Sequence, residues 1–182
     1  MRRDGQPTFA SAAKVLGNHA ERVRRLEFRK PGDPAAVGAA IYLGTPAQTI
    51  PSSADEFGSN TAIEHNFTIY DMDSMVDLGT HPERITATRA GIYIATASAV
   101  WDIHTDTTFR YAAIFSTGAV IGGSADLRAN ISGHVINQPL ASLVVLQPGE
   151  YVWLGVIQGA GSDRDIGAAH LALERLGRAP AL

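Results

Sequence analysis

The sequence contains no cysteine, so disulfide bonds and thiolate metal sites are excluded. No apolar run approaches the roughly 20 residues of a membrane-spanning helix, and residues 1–5 lack the apolar stretch of a signal peptide. We therefore expect no membrane span and a protein that is made and used without classical export. Its stability must come from packing or from association between chains.

Lysine is absent after residue 30. Residues 34–182 contain seven arginines and fourteen acidic residues, a net charge of about −7, whereas residues 1–33 contain eight basic residues and four acids. Because phosphate binding requires concentrated cations, the acidic body disfavours nucleic acid as a ligand. The length of 182 residues, with 45% hydrophobic and 18% charged residues, is typical of one soluble domain with an appendage.

Apolar residues near the N-terminus follow heptad spacing over about three heptads. Residues 31–34 read Pro-Gly-Asp-Pro and must end the helix, since proline removes a donor and clashes with the preceding turn. We predict an N-terminal helix and hinge over 1–33 whose coiled-coil seam joins copies of the chain into an oligomer. An amphipathic helix packed on its own domain remains the alternative. The predicted oligomerisation residues are Phe9, Leu16, Val23 and Leu26.

From residue 34 onward, short apolar stretches separated by turn residues indicate an antiparallel sandwich. The predicted strands are 39–43, 67–70, 84–87, 92–101, 109–116, 119–121, 139–146, 151–156 and 168–176. The last segment contains good helix formers, yet we interpret it as a strand. Pro148 and Gly149 predict a type II turn over 147–150. The fold class is therefore all-β: an antiparallel jelly roll of about eight to ten strands over 34–182, preceded by an α-helix.

Two motifs carry a resemblance to a known family. Ala90-Gly91-Ile92-Tyr93-Ile94, with Trp101 eight residues after the tyrosine, resembles the Gly-x-Tyr core strand of the tumour-necrosis-factor and complement globular-head superfamily. Residues 146–154 resemble its later Leu-x-x-Gly-(Asp/Glu)-x-Val-x-Leu strand, and the likeness covers roughly 36–177. Arg24-Arg25-Leu26-Glu27 is similar to the short basic helix that precedes such heads in tail and fibre proteins of bacteriophages infecting actinobacteria.

The resemblance implies a non-enzymatic protein of the virion, made in the host bacterial cytoplasm. We expect a homotrimeric minor tail protein, at the tail tip or on a fibre, whose helix contacts other virion proteins and whose jelly-roll heads attach to the host surface, with a cell-surface glycan as a candidate partner. No collagen-like Gly-x-y stalk precedes the head, so complement-type partners are not implied. The alternatives are a capsid decoration protein or head fibre of the same fold and, more remotely, a carbohydrate-active jelly-roll enzyme.

Candidate sites are few. Asp71, Asp73 and Asp77 offer oxygen ligands that a calcium loop uses, but the glycine and distal glutamate of an EF-hand are missing, and a solvated acidic loop is the competing interpretation. The six histidines lack metal-site spacing. No catalytic residue and no cofactor other than this weak calcium site are predicted.

Five aromatic residues lie inside predicted strands, which favours core packing over a role as stacking platforms for a saccharide. If the head binds a glycan, we expect its contacts in the loops 102–108, 122–130 and 159–165. The five aromatic residues are Tyr93, Trp101, Phe115, Tyr151 and Trp153.

Overall fold

The computed structural model of this chain describes residues 37–53, 60–103, 108–117, 119–126 and 135–178. The predicted helix, its oligomerisation residues Phe9, Leu16, Val23 and Leu26, and the predicted domain boundary at 33/34 lie outside the described residues. Everything described below therefore concerns the body.

The described body is all-β, as predicted. Its eleven strands are β1 Gly38–Leu43, β2 Gln48–Ile50, β3 Thr61–Ala62, β4 Phe67–Asp71, β5 Arg84–Thr86, β6 Gly91–Trp101, β7 Arg110–Ser116, β8 Ala119–Asp126, β9 Ile136–Leu146, β10 Tyr151–Gln158 and β11 Arg164–Gly177.

The strands form two antiparallel sheets. Sheet A has the order β4-β1-β11-β6-β9, with β2 also pairing with β11, and sheet B has the order β3-β10-β7-β8, with β5 also pairing with β10. Buried residues of both sheets belong to one hydrophobic cluster, so the core lies between the sheets. This is the sandwich arrangement that a jelly roll requires.

Strand β6 shows how alternation positions the core. Tyr93, Ala95, Ala97, Ala99 and Trp101 are all buried, while the alternate residues from 92 to 100 are only half-buried. The core side of β6 is therefore fully covered, as predicted, whereas its other side is covered only in part. The small alanine side chains leave room in the core for the two large rings at the strand's ends.

Several local predictions were tested by the structure. Gly149 has a φ of 88° and the Glu150 amide donates to the Gln147 carbonyl at 3.1 Å, which confirms the turn over 147–150. The segment from residue 168 is a strand, within β11. The predicted loop 122–130 is wrong in its first part, because β8 pairs with β7 as far as Asp126. The short strands β2 and β3 were not predicted at all.

A polar group inside one end of the core links three strands. The Gln138 side chain, 2% exposed, accepts a hydrogen bond from the Trp101 indole nitrogen at 2.7 Å and donates to the Arg110 carbonyl at 3.0 Å. A buried amide with both of its ends paired ties β9 to β6 and β7. Most buried polar groups in folded proteins are paired in this way, because an unpaired one costs free energy.

The substitution Gln138→Leu removes the side-chain amide that both groups bind. The Trp101 N–H and the Arg110 carbonyl are then buried without a hydrogen-bond partner. We expect the free energy of unfolding to fall by about 2–4 kcal/mol. Urea unfolding at a fixed protein concentration measures the change. The exposed neighbour Asn137→Ala is the control and should change stability by about 0.5 kcal/mol or less. Equal effects of the two substitutions would contradict this role for Gln138.

Candidate functional site

The acidic loop after β4 uses its first carboxylate to bind the backbone. The Asp71 side chain accepts hydrogen bonds from the amides of Met75 at 2.9 Å and Val76 at 3.2 Å. The Asp77 carboxylate similarly accepts from the Thr80 amide at 3.2 Å. These carboxylates cap the turns that lead from β4 to β5.

Asp73, the third candidate ligand, is engaged by side chains. It forms an ion pair with Arg89, with hydrogen bonds of 3.0 and 2.8 Å from Nε and Nη2, and it accepts a hydrogen bond from the Thr88 hydroxyl. The Thr88 hydrogen bond and the adjacent arginine lower the pKa of the Asp73 carboxyl. No group of three or more acidic or histidine side chains in the described part of the chain is arranged to hold a metal ion.

The histidines occupy different environments. His65 is 2% exposed, its Nδ1 donates to the Pro82 carbonyl at 3.2 Å, and its Nε2 is buried without a hydrogen-bond partner among the described residues. Burial lowers the pKa of His65 to about 4, and the neighbouring His170 ring adds to the effect. Burial also lowers the pKa of His170 on β11. His81 lies 3.4 Å from Glu83, and His104 and His134 lie outside the described residues.

Of the predicted glycan-contact loops, 159–165 is fully described and is held firmly. Gln158 donates to the carbonyls of Ile50 and Ser162 and accepts from the Ala160 amide, at 3.1, 3.0 and 2.6 Å. The Gly161 amide donates to the Ser52 hydroxyl. The loop is thus part of the scaffold that joins β10, β11 and the segment after β2, while 104–107 and 127–134 lie outside the description.

The outward face of sheet A carries little charge and has large apolar side chains at its ends. We call it the sheet A face. It consists of Ile92, Ile94, Thr96 and Ser98 of β6 together with the residues that pair with them, row by row, across the neighbouring strands. Glu174 is the only acid or arginine in these rows, and it accepts a hydrogen bond from the Tyr70 hydroxyl at 2.8 Å. The large exposed apolar side chains of this face, with exposed fractions from 37% to 64%, are Tyr42, Phe67, Leu143 and Val145.

The outward face of sheet B carries aromatic residues. Val152, Leu154 and Val156 of β10 belong to the core, so the alternate residues Tyr151 and Trp153 lie on the other side of the sheet. We call this side the aromatic face; its defining residues are Arg84, Tyr111, Phe115, Tyr151 and Trp153.

Contacts on the aromatic face are specific. Phe115 and Trp153 stack with ring centroids 4.2 Å apart and planes 13° apart, and the Arg84 guanidinium lies over the Tyr151 ring at 4.4 Å. The core prediction is thus right for Tyr93 and Trp101, which lie between the sheets, and wrong for Tyr151 and Trp153, which are half-buried; Phe115 is buried as predicted, but on the outward side of sheet B. The sequence carried a signal for the difference, because alternation puts Tyr151 and Trp153 opposite Val152 and Leu154, but it did not show which set faces inward.

Comparison with known proteins supports the fold alone. No family model matches the chain, and no curated protein does. Among solved structures, the chain is similar to the globular domain of the zebrafish complement 1qA protein, with a TM-score of 0.54 and 13% sequence identity. The match covers 79% of this chain and 99% of that domain. The body therefore has the jelly-roll fold of a complement globular domain, as the sequence resemblance implied. No helix in the described residues is long and apolar enough to cross a membrane.

Buried His65 makes stability depend on pH. Because the histidine pKa is 6.5 in the unfolded chain and about 4 in the folded protein, the unfolded chain binds more protons between these values. Stability from this residue is complete above pH 6.5 and decreases as pH falls to about 4, by on the order of 3 kcal/mol. Urea titrations of the wild type and of His65→Gln should show a steeper loss in the wild type.

His81→Gln is the matched control, because it replaces a histidine with a 41% exposed side chain and leaves His65 in place, so the contribution of His65 to the slope is retained. The comparison uses slopes rather than absolute stabilities, because His65→Gln also changes packing. Identical slopes for the wild type and His65→Gln would show that His65 does not carry the effect.

Proposed function

We propose that this chain is a structural protein of a bacteriophage virion: a homotrimeric minor tail protein whose jelly-roll heads attach to the host surface. The virion part is supported by Arg24-Arg25-Leu26-Glu27, which resembles the tether helix of phage tail and fibre proteins. The trimeric part is supported by the sheet A face, and this face is the observation that carries the proposal.

The sheet A face has the properties of a surface that a second copy covers. Leu143 and Val145 are 64% and 53% exposed and are aligned by register with Ile94 and Ile92. Together they form a contiguous apolar end on the outward face. A soluble protein gains free energy by removing such a patch from water, at about 25 cal/mol per Å².

The middle of the same face is built from small residues. Ala40, Ala172, Thr96 and Ala141 lie in one row across four strands. Ala40 and Ala172 are only 1% and 7% exposed, so a neighbouring chain would meet this row mainly at Thr96 and Ala141, where small side chains allow a close approach. The near absence of charge lowers the cost of desolvation. The unpaired edge of β9 borders this face and gains cover from the same association.

The proposed role in attachment is supported by the number of heads in a trimer and does not depend on a catalytic group. Three heads on one axis engage a surface together, so that weak individual contacts add to a strong one. A capsid decoration protein would have the same architecture. Labelling of whole virions with an antibody against the chain separates the two locations, and we expect the label at the tail.

Val145→Glu tests the interface. The wild-type chain is expected to have a mass of three times 19.3 kDa in light scattering, and the variant to dissociate, since each interface would bury an unpaired carboxylate. Ile103→Glu is the control, because Ile103 has the same 53% exposure but lies after β6, off the sheet A face. If both variants remain trimeric, the sheet A face is not the surface through which the chains associate.

A chain lacking residues 1–33 separates the contributions of helix and head. If the sheet A face carries association, the shortened chain stays trimeric. Loss of the trimer on shortening would assign association to the helix, and a monomeric full-length chain would refute the trimer altogether.

A further inference from the structure

The aromatic face differs from the core in how the polar atoms of its rings are used. In the core, the Trp101 indole donates to Gln138 at 2.7 Å and the Tyr93 hydroxyl donates to the Arg89 carbonyl at 2.6 Å. On the aromatic face, the Trp153 indole nitrogen and the Tyr151 hydroxyl have no hydrogen-bond partner among the described residues. Both side chains are only half-buried, so these donors are open to solvent and are free to pair with the acceptor oxygens of a ligand.

Arg84 adds a cation to the same surface. It pairs in register with Trp153, and its guanidinium is held over Tyr151 at 4.4 Å. Its Nε is buried with no hydrogen-bond partner in the described part of the chain. Stacking fixes the guanidinium without neutralising it, so its outer nitrogens remain donors at the edge of the aromatic surface.

Two glycines allow the aromatic rings to pack directly against the backbone of the sheet. A Cβ at Gly155 would lie 2.6 Å from Phe115 and 2.7 Å from Trp153, and one at Gly123 would lie too close to the Tyr111 hydroxyl. The rings therefore rest against backbone at positions where any side chain would lift them. Phe115 is only 7% exposed and supports Trp153 from one side. The site is ordered before any ligand arrives, which reduces the entropy cost of binding.

We infer that the aromatic face binds a saccharide chain, with sugar rings against Trp153 and Tyr151 and their oxygens paired with Arg84 and the indole N–H. The apolar C–H side of a sugar ring fits a flat aromatic side chain, and its hydroxyls or a carboxylate accept from the unused donors. Residues 151 and 153 are about 7 Å apart along a strand, which corresponds to neighbouring positions on one or two sugar units.

The charge of the face favours a saccharide over nucleic acid. The outward positions of β5, β7 and β10 carry one cation, Arg84, and no carboxylate among the described residues. A single arginine does not supply the several phosphate contacts on which nucleic-acid affinity depends. It is sufficient for one acidic or hydroxyl-rich sugar.

The inference rests on the proposed function in one respect: the sugar chain would be the host-surface partner of the head. The two are physically separate, because association uses the sheet A face and the saccharide site lies on sheet B. The site also replaces the loops 102–108, 122–130 and 159–165 as the expected place of glycan contact.

The test uses the full-length chain on a printed array of bacterial-surface oligosaccharides, both neutral and uronic-acid-bearing. An oligosaccharide retained on the array is then titrated in solution while tryptophan fluorescence is followed. We expect saturable binding that perturbs the emission of Trp153, and a loss of affinity of about tenfold or more in Trp153→Ala and in Arg84→Gln. Trp153→Phe keeps a ring and the fold, and should weaken binding less than Trp153→Ala does.

Met72→Ala and Arg89→Gln are matched controls, since they remove an exposed apolar side chain and an exposed arginine elsewhere. They should bind like the wild type. Three outcomes would each overturn the inference: the array retains no oligosaccharide, Arg84→Gln binds as tightly as the wild type, or a ten-nucleotide oligothymidylate binds more tightly than any sugar. Light scattering on the same samples keeps the two proposals apart: a trimer that binds no saccharide refutes only the inference, and a monomer that binds refutes only the trimer.

Discussion

The pairing of β6 with β11 is the constraint on which the other features of the body depend. Residues from Ile92 to Trp101 pair with residues from Ile166 to Gly177, and the register places Ala95, Ala97 and Ala99 in the core. A slip by one residue would turn every one of these side chains outward and would expose Trp101. Because this long pairing fixes which residues face inward on sheet A, it also fixes which face outward.

The two outward faces that result have different chemistry. The sheet A face combines large apolar side chains at its end with small ones at its centre and carries one acid, so its favourable interaction is burial against another apolar surface. The aromatic face is already partly packed, since Phe115 and Trp153 cover each other, and among the described residues the buried atom without a hydrogen-bond partner there is Arg84 Nε. In the proposed assembly, a second copy would cover the first face, and a ligand with acceptor oxygens would pair with the donors of the second.

The sequence predicted the longer strands because their apolar periods and turns are local features. It did not predict β2 and β3, which have three and two residues and exist only through pairing with distant strands. It also did not show which face of β10 lies inward, since residues 151–156 are apolar on both sides. The aspartates at 71, 73 and 77 illustrate a third limit: carboxylates that bind amides and those that bind metals have the same sequence pattern, and only the positions of nearby donors, such as Arg89, distinguish them.

Separating the two faces onto opposite sheets has a consequence for affinity. A shallow aromatic surface buries little of a sugar chain, so a single head is expected to bind weakly. In a trimer formed through sheet A, each aromatic face points away from the shared axis, and the second and third contacts form at a high effective concentration. Weak sugar binding by each head and strong association of the three heads would then act together in attachment. Loosening the sheet A face should therefore lower retention on a glycan-coated surface far more than it lowers the affinity of one head for a free oligosaccharide.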